Sequence, residues 1–286
     1  MSQGMQLVEK KQEYPQFTSG RRSLREEWAA AAKGQPPQQA SHDANTLFTD
    51  AQIIQKDAEA LTRKLASLLG GIAEIGPEKD LYRVMAKFNG KDEGRDVSYN
   101  CDFSRSRIML RNKAQIRSAI DMFAAPGTIE LRDGTQIKIR EVENNFSALN
   151  TRKAALANLD VKITFEFTTA EGNRSFHHHE LQIIPKDAKS DYERSHEVYK
   201  KKRLAQIYRD GADNALAICG PSETTCWSKK WAQYDAELKT AQQERFNIHS
   251  AVRQRLGLDE LIGYQPCVSS KAKRVDNQGP VLYVVR

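Results

Sequence analysis

Two short segments carry the residue types that chemistry needs. In Ser175-Phe-His-His-His-Glu180-Leu-Gln182-Ile-Ile-Pro185, Glu180 and Gln182 are two apart in a β-type pattern. Side chains two apart on a strand share a face, so this carboxylate and amide point the same way, with His178, while His177, His179, Leu181 and Ile183 point the other. Such a pair can bind a metal-bound or sugar hydroxyl group. The second segment, Asp102-Phe-Ser-Arg105-Ser-Arg107, runs directly into the apolar Ile108-Met109-Leu110. An acid to hold Mg²⁺ and guanidinium groups to clamp phosphate oxygens bidentately are what phosphoryl transfer requires. Arg83 and Lys87 add basic groups upstream, and Lys138 and Arg140 share a face of a later strand.

The elements that must position these residues are legible from periodicity. Ile54, Ala58, Leu61, Leu65 and Leu68 form a helical stripe ended by Gly70-Gly71. Residues 80–88 read as a strand, and residues 96–111 follow a charged loop and enter another at Ile108-Met109-Leu110. Asn112 caps a helix carrying Ile116, Ala119, Ile120 and Phe123. Asp133-Gly134 centres a hairpin. Val161, Ile163, Phe165 and Phe167 alternate with Lys162, Thr164 and Glu166, and EGNR turns the chain into the Glu180 strand. Ser190 and Glu193 have capping-box spacing and open a helix through about 208, and a last long helix spans about 228–257. This order implies an α+β fold, a mixed β-sheet flanked by helices with a helical C-terminal extension. Three divisions are expected: a flexible leader over 1–43, the α+β domain over 44–220, and an extension with its tail over 221–286. Within the leader, Ser23 and Glu26 could cap a short helix.

The ordered motifs carry a resemblance. Asp102-Phe-Ser-Arg105 before a buried strand resembles the Asp-x-x-Arg signature of the RelA/SpoT-type nucleotide pyrophosphokinase domain, and Glu180-Leu-Gln182-Ile resembles its Glu-x-Gln strand. Ser195-His196-Glu197-Val198-Tyr199 is similar to the Ser-His-x-x-Tyr that follows in diverged members, and the resemblance spans about 78–205. It implies a nucleotidyltransferase-like fold, ATP as donor and Mg²⁺ as cofactor. Asp102 and Glu180 would be metal ligands, and Glu180 with Gln182 would serve the acceptor hydroxyl. Arg83, Lys87, Arg105 and Arg107 would hold ATP. The acceptor, a nucleotide or RNA, would meet Arg140, Arg152 and Lys153. Where the family has Gly-Tyr-Arg, this chain reads Ala157-Asn158-Leu159-Asp160, so the aromatic that stacks on a guanine acceptor is missing. The alternative is a nucleotide- or RNA-binding module, or an interaction protein of a toxin or effector branch, in which residues 1–43 meet a protein partner.

Composition narrows the classes. The 286 residues carry 44 Lys and Arg against 37 Asp and Glu, a net charge of +7 that suits an anionic partner. Recurrent apolar blocks exclude a wholly disordered chain, and four cysteines do not make a disulfide scaffold. Cys219 and Cys226 are expected as free thiols, and a nucleophilic role for Cys101 lacks a positioned histidine. The three consecutive histidines, split between faces, do not suggest a metal site. No apolar run reaches the ~18 residues of a membrane span, and the first thirty residues lack a secretory apolar core. Cytoplasmic residence, or delivery into a target cell without a leader, is the expectation.

Overall fold

The structure, a computed structural model, describes residues 20–76, 96–147, 157–264, 266 and 282–284. The expected strand at 80–88 lies outside them. Helix α1 (Leu24–Ala32) leads to α2 (Ala44–Leu68), then β1 (Ile72–Ile75), β2 (Ser104–Leu110), α3 (Lys113–Met122), β3 (Gly127–Glu130), β4 (Gln136–Asn144), β5 (Leu159–Thr168) and β6 (Arg174–Pro185). The long helices α4 (Lys189–Ile218) and α5 (Pro221–Arg255) follow, and β7 (Leu282–Val284) closes the order. The seven strands are arranged β1-β2-β6-β5-β4-β3-β7. The β2/β6 and β3/β7 pairs are parallel and the others antiparallel, so the fold is α+β with a mixed sheet.

One face of the sheet is the core. Ile108 and Leu110 of β2, Val161 and Ile163 of β5, and Leu181 and Ile183 of β6 pack with Leu65 of α2 and Ile116, Ile120 and Phe123 beside and within α3. Burying each such side chain contributes about 1.5–3 kcal/mol, which fixes the strand registers, since a one-residue slip would turn the apolar set to the other face. His179 also points here. Its ring nitrogens lie 2.7 Å from Ser104 Oγ and from Ser106 Oγ, and Ser106 meets Thr62 of α2 at 2.7 Å. Burial depresses its pKa to about 3, so it is a neutral packing residue.

Local signals explain the ends of the elements. Asn112 Oδ1 accepts from Gln115 N at 2.9 Å and starts α3. Asp43 caps α2, accepting from Thr46 N at 2.7 Å. Helix α2 ends where Gly70 takes φ +66°, a conformation that favours glycine. The next residue, Gly71, abuts β2: a Cβ there would sit 2.7 Å from Leu110 Cδ2 and 2.9 Å from the Met109 carbonyl oxygen. The Met109 backbone is fixed in the sheet, so Gly71→Ala is expected to destabilise by about 1–3 kcal/mol. Chemical denaturation would measure this, and a loss under a few tenths would show that the α2–β1 corner can relax.

Several expectations differ from the structure. Residues 20–43 are not a flexible leader. The Ser23–Glu26 capping box opens α1, and residues 34–40 run as a strap against the sheet. Arg21 is paired with the Asp50 carboxylate (2.6 and 3.0 Å) and bonded to Ser175, and Gln39 is fully buried. The helix after β6 extends ten residues beyond 208 to Ile218, and α5 starts at Pro221 rather than near 228. Pro221 at the first turn of α5 explains that start, because proline's missing N–H is harmless there. The C-terminal extension is also part of the core: Val252, Leu258 and Leu261 join the main apolar cluster.

Candidate active site

Because Ser104, Ser106 and Ile108 of β2 are held under α2, Arg105 and Arg107 project from the opposite face of the sheet. The same alternation in β6 buries Leu181 and Ile183 and turns Glu180 and Gln182 to that face. Parallel pairing then sets Arg105 beside Glu180 and Arg107 beside Gln182. Arg107 Nε donates to Gln182 Oε1 at 3.1 Å, and its guanidinium lies 3.9 Å from Glu74 of β1. A cavity of about 460 Å³ opens over these residues. Asp102, Arg105, Arg107, Glu180 and Gln182 form its floor, and Tyr192, Ser195, His196 and Tyr199 of α4 form its wall. A second cavity of about 310 Å³ adjoins it, lined by Pro36 and Pro37 of the strap with Tyr99, Asn100, Glu141 and Lys162. Asp102 and Glu180 line both.

Five residues named from sequence therefore meet at one place: Asp102, Arg105, Arg107, Glu180 and Gln182. Four others, Arg83, Lys87, Arg152 and Lys153, lie outside the described residues. Arg140 is elsewhere and is not available to an acceptor. It is the extra residue of a β-bulge between Ile139 and Glu141, it is 5% exposed, and its Nε lies 2.5 Å from Glu27 Oε1 while Nη2 donates to the Gln35 carbonyl at 2.7 Å.

Sequence reasoning overlooked two members of the site. Lys162 of β5 stands opposite Glu180, its Nζ 3.4 Å from Glu180 Oε1, both side chains about one-fifth exposed (17% and 21%). Burial works against the Lys162 charge, but Glu180 and Asp160 outweigh it and raise its pKa. Asp160 stands opposite Gln182, whose amide donates to its Oδ1 at 3.2 Å. Burial first, and then the nearby Glu180, push the Asp160 carboxyl up to about 6. The length of the Thr169–Asn173 turn held the signal. With Thr168 opposite Arg174, counting back along both strands puts Lys162 against Glu180 and Asp160 against Gln182.

The shift at Asp160 has a stability consequence. Its folded pKa lies above that of an unfolded Asp (about 3.9), so ionising it costs folding free energy. Wild-type stability therefore falls as pH rises from about 4 through about 6. Asp160→Asn is expected to match wild type below pH 4 and to exceed it above pH 6, by one to a few kcal/mol on the scale of 1.36 kcal/mol per unit. Denaturation curves at several pH values would test this; parallel pH profiles would show that Asp160 ionises normally.

Other candidates are settled by burial. The Cys101 thiol is pushed up to about 12, chiefly by burial, so it supplies no thiolate at neutral pH. Cys219 and Cys226 are free thiols. His178 lies on the open face but is covered by α1, and burial lowers its pKa. Among the described residues no group of three His, Cys, Asp or Glu side chains could hold a metal, and no helix is long and apolar enough to cross a membrane.

No protein-family model matches the sequence, and no curated protein matches it. Among solved structures the chain is similar to the small alarmone synthetase 1 from Bacillus subtilis bound to its product pppGpp, at 11% identity and a TM-score of 0.37 over 74% of this chain and 97% of that one. It is also similar to the Type VI effector Tas1, solved in complex with its immunity protein, at 14% identity and a TM-score of 0.35 over 73% of this chain and 96% of that one.

Proposed function

We propose that the chain transfers a pyrophosphoryl group from ATP to a hydroxyl of a nucleotide or RNA acceptor. The observation that carries this reading is the sharing of Asp102 and Glu180 by two adjoining cavities, one of which also holds Arg105, Arg107 and Gln182. A donor in the larger cavity and an acceptor in the smaller would meet at those carboxylates. Holding two reactants in line is the main contribution a protein makes to such a reaction, with charge stabilisation next.

In this scheme Arg105 and Arg107 clamp donor phosphates as planar two-pronged donors. Glu180 accepts the acceptor proton, the hydroxyl oxygen bonds to the β-phosphorus, and the bond from that phosphorus to the oxygen bridging it to the α-phosphorus breaks, releasing AMP. Gln182 and Lys162 fix the Glu180 surroundings, the former through Arg107 and Asp160, the latter by its ion pair. A Mg²⁺ ion suits the donor set, because it takes one or two carboxylates and fills its remaining positions with phosphate oxygens and water. Asp102 and Glu180 would hold it, and it would supply charge neutralisation on the phosphates. The missing aromatic at Ala157–Asp160 argues against a stacked guanine, so the acceptor base is a different one or is held by other residues.

The test is an assay with the purified full chain, Mg²⁺ and ATP labelled on the γ-phosphate, against a panel of nucleotides and bulk tRNA. AMP release with label on one acceptor supports the reading and names the acceptor class. ATP binding without transfer would instead favour a non-catalytic nucleotide-binding module, for which the ion pair already engaging Glu180 is the supporting observation. Absence of ATP binding would sink both.

A further inference from the structure

The wall of the larger cavity is not built by α4 alone. Arg245, from the middle of α5, also lines it. Its guanidinium lies over the Tyr199 ring, 5.1 Å from the centroid, and its Nε donates to Ser195 Oγ at 3.3 Å. Ser195 is itself buried and sits 2.6 Å from His249 Nε2, also of α5. Ring, hydroxyl and helix thus fix the guanidinium plane. Only the Nε–H is used in this arrangement, which leaves the paired Nη donors of the fork.

What is unusual is the missing counter-charge. Several half-buried or buried arginines of this fold are matched by a carboxylate, Arg21 by Asp50, Arg140 by Glu27 and Arg253 by Asp259; Arg203, which also lies over the Tyr199 ring, is unmatched among the described residues but does not line the cavity. Among the described residues no carboxylate stands within ion-pair distance of Arg245, and burial accordingly lowers its pKa. Carboxylates do line the cavity, Asp102 and Glu180 among them, but none is paired with Arg245; a cation held rigid and partly desolvated without a paired acid is tolerated where an anionic ligand completes it. Arg105 and Arg107 face the same space from the sheet. Three guanidinium groups on two walls match a polyphosphate, which presents several anionic oxygens in a row.

We propose that Arg245 binds the polyphosphate of the donor nucleotide, so that the C-terminal helix α5 completes the donor site. This rests on reading the larger cavity as a nucleotide site. The experiment is titration calorimetry of the full chain with Mg²⁺ and three probes: a non-hydrolysable ATP analogue, AMP and inorganic tripolyphosphate. Arg245→Gln is expected to weaken the ATP analogue and tripolyphosphate tenfold or more while leaving AMP within twofold. Arg245→Lys, which keeps charge but not the fork, is expected to fall between. A structural role would lower all affinities together with the melting temperature. If Arg245→Gln melts early, the Lys variant carries the comparison between ATP analogue and AMP. Unchanged affinity for the ATP analogue, or an equal loss for AMP, overturns the assignment of Arg245 alone. If the wild-type chain binds none of the three probes, the nucleotide reading of the cavity falls, and this assignment with it.

Discussion

Glu180→Gln is expected to lower pyrophosphoryl transfer by about 10²–10⁴-fold or more, the range a positioned general base contributes, and to weaken Mg²⁺-dependent binding of the ATP analogue, since Glu180 would also hold the metal. Glutamine keeps the shape and one hydrogen-bond acceptor but takes no proton. The substitution also removes the partner of Lys162, whose Nζ lies 3.4 Å away. Two controls separate these effects. Lys162→Met in the wild-type background keeps the base and removes the ion pair, so it is expected to cost far less than the loss of Glu180. The melting temperature supplies the other, since loss of the ion pair would lower it and loss of the base alone would not. A loss of less than tenfold, with folding intact, would take the proton-accepting role away from Glu180.

The second large effect lies away from the chemistry. Glu27 of α1 is fully buried and meets Arg140 at 2.5 Å, His178 at 3.3 Å and Arg22 at 3.2 Å. Burial works against its carboxylate, but His178 and Arg140 outweigh that and hold its pKa below the ordinary value. Glu27→Ala leaves the Arg140 guanidinium buried, bonded to the Gln35 carbonyl but without its counter-charge. Breaking a buried pair from one side typically costs about 3–5 kcal/mol, and replacing both partners by apolar groups can be nearly neutral. Glu27→Ala should therefore unfold at markedly lower denaturant, and Glu27→Leu with Arg140→Met should recover much of the loss. A cost below 1 kcal/mol for the single change would mean that water reaches Arg140 when the carboxylate is gone.

How much of this was readable in the sequence depends on range. The hairpin at Asp133-Gly134, the caps at Ser23 and Asn112 and the alternation of 161–167 are local, set by turn chemistry and side-chain period, and the structure follows them. The meeting of Asp102, Arg105, Arg107, Glu180 and Gln182 followed from their order and alternation once β2 and β6 were taken as neighbours. Arg140 misled because a basic residue on a strand looks the same whether solvent or a buried acid receives it, and Glu27 lies 113 residues away. The Pro- and Gln-rich composition of the strap implies flexibility, because it buries little apolar surface. Its order comes instead from polar contacts made by Arg21, Arg22, Glu27 and Gln39, which no hydropathy pattern reports. Arg245 was invisible for the same reason: what distinguishes it is the absence of an acid in three dimensions.

Gln39 has a further consequence. Pairing of β6 with β2 begins at His179, so among the described residues no strand pairs with the first five residues of β6 on that side. The Gln39 side chain fills part of the gap: Oε1 accepts from His178 N at 2.8 Å and Nε2 donates to His178 O at 3.1 Å. One amide side chain thus mimics a strand, satisfying a donor and an acceptor that would otherwise invite another polypeptide. An open edge in the middle of a sheet is a template for intermolecular β-pairing. A chain cut to start at α2 would keep every catalytic candidate among the described residues and expose that template, so its first failing would be self-association rather than lost chemistry.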